Sequence, residues 1–282
     1  MEARKKLKRV LSLFAISAKM DLLWLLRDTK YAIAAMTADM ISNISVVSGV
    51  WLIALRFGGI GGMSVDEVLF MMSYSTLVTG LFILFGSGNN IHISRIIGRG
   101  QLEHMFMQPN SLKVQLITGG FVPFTGGGNL AVGCILLVIS IARLHLRVTP
   151  WWILRLIAHL AATMVIIVAR SYLVATASFY APVEAEEIST TAIEGTWQLS
   201  TFPLSGMPAF IQVPLLTILP EGLMAWFPAL CLLGKPPLNL TEYYPFAYAL
   251  ALALAAKYFF RKGLNYYVTK GSNRYVPYGF RR

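Results

Sequence analysis

The chain has 282 residues, of which 56% are hydrophobic and only 13% charged, where soluble proteins carry about 25% charged residues; a water-exposed surface cannot be covered with so few. Its 24 Lys and Arg against 13 Asp and Glu leave a net charge of +11. The basic groups lie between long apolar runs and at the two ends, which excludes a nucleic-acid surface and is the pattern of an all-α polytopic membrane protein.

Residues 1–28 read as an amphipathic helix, with Leu7, Leu11, Phe14, Ala18, Leu22 and Leu25 on one stripe and Lys5, Lys8, Ser12 and Lys19 on another. Such a helix lies in the membrane interface as an elbow, its lysines toward anionic headgroups; an uncleaved signal anchor is the alternative. A first span is expected over residues 31–55. A second begins at Val68, with its apolar part reaching Phe85 and its end at residue 91. The third, 114–142, has a first half loosened by Pro123 and by Gly126, Gly127 and Gly128. The fourth, 151–180, is opened by Pro150 and by Trp151 and Trp152, tryptophans of the headgroup level. The last clear span covers 244–260 and runs into a basic tail, 261–282.

Most of the basic residues fall in the elbow, in the loop after the second span and in the tail. This bias sets both termini in the cytoplasm. The number of crossings must then be even, so a sixth span is required. Residues 183–202 are the candidate, although Glu184, Glu186, Glu187 and Glu194 would be costly against lipid. They are tolerable only if their face is buried in protein or lines a water-filled path. The stretch 203–234 is apolar but broken by Pro203, Pro208, Pro214, Pro220 and Pro228, too many for one straight helix. It reads as an outer re-entrant hairpin turning near Pro220-Glu221-Gly222. The alternative makes 183–202 a cytosolic loop and the Pro-rich stretch a kinked span, again giving six crossings.

No catalytic set is present. A GxxxxGK[ST] loop is absent, His92, His104, His145 and His159 make no HExxH, and Cys134 and Cys231 make no CxxC; nucleotide binding by a P-loop and structural zinc are therefore excluded. Polar groups inside spans carry more weight because the bilayer makes them expensive. Asp39 and Asn43 stand at i, i+4 on one side of the first span, facing protein or a path; helix-to-helix hydrogen bonding is the structural alternative. Arg170 is placed to pair with a glutamate of 184–194. The cytoplasmic segment 95–110 holds turn glycines at Gly98 and Gly100, a short helical piece from Leu102 to Met107 with apolar Leu102, Met105 and Phe106, and Pro109 as its stop. A stub of this kind, clamped between spans, suits docking on a soluble partner.

The run from Gly98 through Pro109, with its G-x-L-E-x-x-x-x-x-P pattern, resembles the cytoplasmic coupling segment of ABC-2-type permeases. The stretch FPLSGMPAFIQVPLLTILPEGLMAWFPALCLLG is similar to their outer region, in the branch carrying YPL-x-x-x-P followed by LP and YPA. Here Phe202 replaces the first tyrosine, and the last element is Trp226-Phe227-Pro228-Ala229. The resemblance covers nearly the whole chain as a single permease domain and implies the fold of the type V exporters: an elbow, six spans and an outer hairpin. It implies a homo- or heterodimer in the cell or inner membrane, each permease bound to a separate ATPase subunit that holds ATP and Mg, with no cofactor in this chain. Coupling would fall to Arg95, Gly98, Arg99, Leu102, Glu103 and Pro109. The outer gate would use Pro203, Pro208, Pro220, Glu221, Trp226 and Pro228. Asp39, Asn43, Glu187, Glu194, Trp197 and Gln198 are inferred to line the path of a small amphipathic or lipid-like substrate. The four glutamates near the fifth span and the glycine-rich third span depart from the family pattern. On the residues alone, the rival is a secondary transporter or channel in which Asp39 and those glutamates relay ions without ATP. It lacks the repeated halves such folds often show. A membrane-embedded enzyme lacks a nucleophile-base or metal set.

Overall fold

The computed structural model describes residues 2–86, 93–237 and 242–271; the side chains of 2–6, 183, 186, 193, 194 and 196–199 are outside that description. The described residues are all-α. Helix α1 (Glu2–Arg27) leads into α2 (Thr29–Phe57) and α3 (Val65–Gly86). Gly58, at φ 72°, ends α2. A reciprocal capping box starts α3: Ser64 N–H donates to Glu67 Oε2 at 2.9 Å, and Glu67 N–H to Ser64 Oγ at 3.3 Å. Three short helices follow, α4 (Ile93–Gly98), α5 (Gln101–Phe106) and α6 (Leu112–Thr118), then α7 (Gly127–Arg143) and α8 (Pro150–Ala175). Thr149 accepts from Trp152 N–H and Pro150 takes the first turn of α8, where its missing N–H costs nothing. A 3-10 turn (Thr176–Phe179) extends α8, and α9 (Pro182–Ser200) returns. The Pro-rich stretch forms α10 (Ala209–Gln212), α11 (Pro214–Thr217), a 3-10 turn (Pro220–Leu223) and α12 (Trp226–Leu232). Helix α13 (Tyr244–Lys270) is the last described.

The six expected crossings are overturned. Among the described residues three helical segments are long and apolar enough to cross a membrane: Thr29–Phe57, Val65–Phe85 and Pro150–Phe179. A fourth is reached only if Ala209–Thr217 and Pro220–Leu232, bent by 71° at their break, count as one. Each missing span has a physical cause. The expected span 114–142 is interrupted between α6 and α7 by turns around Pro123, leaving α7 with 17 residues, short of the roughly 20 a crossing needs. Helix α9 carries four glutamates over 19 residues. The apolar run of α13 stops at Ala256, and Lys257, Arg261, Lys262 and Lys270 occupy its second half. The argument that demanded an even six loses its footing with them. Of the second expected span, residues 87–91 lie outside the description, as does the tail beyond residue 271.

Helix α3 is the axis of the bundle, buried on all sides, with Phe70, Met71, Tyr74 and Val78 in a core shared with α8 and α12. Its partner α7 approaches backbone to backbone. A Cβ added at Gly80 would lie 2.4 Å from Leu130 Cα, and one at Gly133 2.6 Å from Leu77 N. Helices α8 and α13 run side by side and parallel: His159 meets Phe246 and Tyr172 meets Phe260, each at 4.9 Å, and Phe179 meets Tyr267 at 5.8 Å. A second core, Ile93, Ile96, Ile97, Leu102, Leu116, Phe179 and Tyr267, gathers α4–α6 at the C-terminal ends of α8 and α13. Helix α1 docks at this end too. Buried Asp21 accepts from Phe124 N–H at 2.7 Å, Thr125 N–H at 3.2 Å and Thr125 Oγ at 2.6 Å, and Ser17 donates to Thr118 O.

Candidate coupling surface and transport path

The α4–α6 stub is stiffened from within. The isoleucines of α4 are buried against α8 and α9, and Gly100, at φ 66°, makes the left-handed turn that redirects the chain into α5. Leu102 is fully buried in the second core. Glu103 Oε1 accepts from the Tyr267 hydroxyl at 3.0 Å, tying α5 to α13. Gln115 Nε2 donates to Met105 O at 2.8 Å and Asn110 O at 2.7 Å, which closes the α5–α6 connection. Leu102, read from the sequence as an apolar group offered to the cytosol, is therefore an anchor. Phe106, named beside it in that reading, does point outward at 45% exposed, and so does Met107, at 76%, which the reading gave only as the end of the piece. Arg99 and Pro109 are exposed beside them, Arg95 is half-buried and Gly98 is buried. The exposed apolar tip is visible in a sequence only after α5 has been given its buried face.

The Pro-rich segment divides into two limbs. Its first, through α10 and α11, shows Phe210 and Ile218 at the surface, with Pro208 exposed. Gln212 Nε2 holds the turn before it by donating to Leu204 O at 3.0 Å and Met207 O at 2.7 Å. The second limb is core. Pro220, Glu221, Trp226 and Pro228 are buried, as is Pro203 just upstream. Trp226 Nε1 donates to Ser205 Oγ at 2.7 Å, and Tyr244 and Tyr248 hydroxyls donate to Leu216 and Thr217 carbonyls at 2.7 Å each. Beneath the bend, Arg170 of α8 forms an ion pair with Glu221 at 2.8 Å; their side chains are 11% and 2% exposed. Arg170 Nη2 also donates to Ala192 O of α9 at 3.4 Å. One guanidinium thus joins α8, α9 and the bend. In the 184–194 segment, where a glutamate partner was expected, its described contact is this backbone carbonyl, and the side chains of Glu186 and Glu194 lie outside the described residues.

Of the inferred path residues, Asp39, Asn43 and Glu187 have described side chains. Asn43 Nδ2 donates to Asp39 O at 3.1 Å and to Asn129 Oδ1 at 3.0 Å, so Asn43 serves the packing of α2 on α7. Asp39 is exposed on the outer face of α2, and Glu187 is exposed on α9. The side chains of Glu194, Trp197 and Gln198 lie outside the described residues. Among the described residues no three His, Cys, Asp or Glu side chains converge as metal ligands do.

An apolar helical bundle whose longest helices match a bilayer, with a folded stub at one end and a proline-broken segment in its core, defines a membrane-associated all-α protein. The particular family follows from the sequence. The profile described as ABC-2 family transporter protein matches residues 42–271, and the chain belongs to that family. The match begins within α2 and takes in the stub, the Pro-rich segment and all of α13, leaving α1 outside. No curated protein and no solved structure matches the chain.

Proposed function

We propose that the chain is the transmembrane permease subunit of an ATP-driven exporter, paired with a second permease, identical or homologous, and with two copies of a separate ATPase subunit. ATP and Mg belong to those subunits, because this chain has no P-loop. Both termini face the cytoplasm, on the side of the α4–α6 stub. The substrate, small and amphipathic or lipid-like, moves along the interface of the two permeases. There the poorly buried α2, with Asp39, and α9, with Glu187, offer polar groups, and the exposed limb of the Pro-rich segment acts as the outer gate. Movement of the ATPase pair shifts the permeases between two arrangements, each with different affinity for the cargo.

The observation that carries this proposal is the stub itself. It is braced internally by Leu102, the Glu103–Tyr267 hydrogen bond and Gln115, yet presents Phe106 and Met107 to solvent. A lever needs that combination of a rigid body and an adhesive tip. Purification in mild detergent should bring down a P-loop ATPase in equal proportion. Phe106→Ser with Met107→Ser should leave the permease folded while weakening that association at least tenfold and stopping ATP-dependent transport. Transport by the purified chain with no ATPase present would refute the proposal and favour the ion-relay alternative.

A further inference from the structure

An open apolar groove of about 920 Å³ runs between α6, α8 and α13, at the upper end of the roughly 300–1,000 Å³ that small organic ligands occupy. Its walls are Met164, Val165 and Val168 of α8 and Ala253 and Phe260 of α13, and three cations rim it: Lys113, Lys257 and Arg261. Among the described residues that line it there is no carboxylate. The level of the cations along the bundle follows from the parallel packing of α8 and α13. Phe260 sits against Tyr172, two turns before the end of the apolar segment Pro150–Phe179. By the same register Arg261 is about two turns and Lys257 about three turns short of that end, on one face of α13, from which their long side chains can extend toward the stub side, and Lys113 belongs to the stub. All three are exposed. Cations at the inner edge of an apolar wall are costly there unless an anion meets them. Basic pockets between helices at this depth suit lipid headgroups.

We propose that this groove binds an anionic glycerophospholipid from the leaflet on the stub side. Its acyl chains lie on the α8 and α13 walls and its phosphate sits among Lys257, Arg261 and Lys113. Its lining includes neither the residues proposed for the path nor the Phe106–Met107 tip, so the proposal stands or falls independently of the transport mechanism. It also gives a reason for the basic second half of α13, which costs that helix its span-like composition.

The test is native mass spectrometry of the full-length chain, with any subunits that purify with it, titrated with dioleoyl phosphatidylglycerol or dioleoyl phosphatidylcholine. The wild type should bind phosphatidylglycerol in preference. Lys257→Gln with Arg261→Gln should weaken that binding by about fivefold per cation, roughly 25-fold together, and leave phosphatidylcholine unaffected. The charge-preserving pair Lys257→Arg with Arg261→Lys should keep it, while Val168→Trp, which fills the groove with every charge in place, should remove it. A thermal melt for each variant separates loss of the lipid from loss of the fold. Equal uptake of the two lipids would overturn the proposal. So would undiminished phosphatidylglycerol binding in the glutamine pair, or disulfide trapping of Val168→Cys between two copies of the chain, which would make the groove a protein interface.

Discussion

Arg170 and Glu221 hold opposite charges at 2.8 Å with almost no solvent access. Such a pair contributes little net stability when complete, because desolvation offsets the attraction, but losing one member leaves an uncompensated buried charge. Glu221→Ala should destabilise the fold by about 3–5 kcal/mol, seen as a lower thermal midpoint in detergent. Arg170→Leu combined with Glu221→Leu should recover part of it, since removing both charges leaves neither one buried without the other. A single variant as stable as the wild type would mean the pair is solvated. Leu102 makes the same point in another chemistry. It is legible in the sequence as part of a short amphipathic piece, but whether it faces solvent depends on Phe179 and Tyr267, which reach it from α8's extension and α13. Asp21, which in the sequence only interrupts an apolar run, accepts three hydrogen bonds from Phe124 and Thr125. No local pattern announces a contact of that range.

At the scale of elements, hydropathy and period locate α1, α2, α3 and α8 within a few residues, because each depends on its own composition. What they miss is interruption. The expected span 114–142 averages to an apolar segment, but Pro123 lacks a backbone donor and the glycines beside it favour turns, so the helix restarts at Gly127. The glycines that matter most for packing are outside that cluster. Gly133 and Gly80 let α7 and α3 touch through their backbones. Gly133→Ala places a methyl 2.6 Å from Leu77 N and 3.0 Å from Thr76 C, which the two helices can relieve only by moving apart. The expected cost is about 1–3 kcal/mol from overpacking, with lower yield of folded protein. Gly127→Ala, where nothing lies within 4 Å of the new atom, should be neutral and serves as the control. If the two substitutions behave alike, the close approach of α3 and α7 is not a determinant of the bundle.

Across the whole molecule, charge is sorted by end. Where α3 begins, α7 finishes and α8 begins, basic residues have carboxylate partners: Lys235 with Glu67 at 2.6 Å, Arg143 with Asp66 at 3.2 Å, and Arg155 with Glu242. At the opposite end α1, the stub and the basic half of α13 bring together an excess of lysine and arginine. This is the asymmetry that the positive-inside rule acts on. It survives the loss of three expected spans, because it rests on which ends meet rather than on how many segments cross. The joints that bring α1 and α13 to the same end are Ser17 with Thr118 and Tyr267 with Glu103. Single cysteines at three exposed positions, Leu7→Cys, Phe106→Cys and Val268→Cys, placed in a Cys134→Ser background, should therefore react with a membrane-impermeant maleimide from one side only. Val148→Cys, exposed at the junction of α7 and α8, should react from the other. Labelling of Leu7→Cys and Val268→Cys from opposite sides would separate the two ends of the chain across the bilayer and dismantle this arrangement, since both the stub contacts of α13 and the docking of α1 would then have to be broken in the native protein.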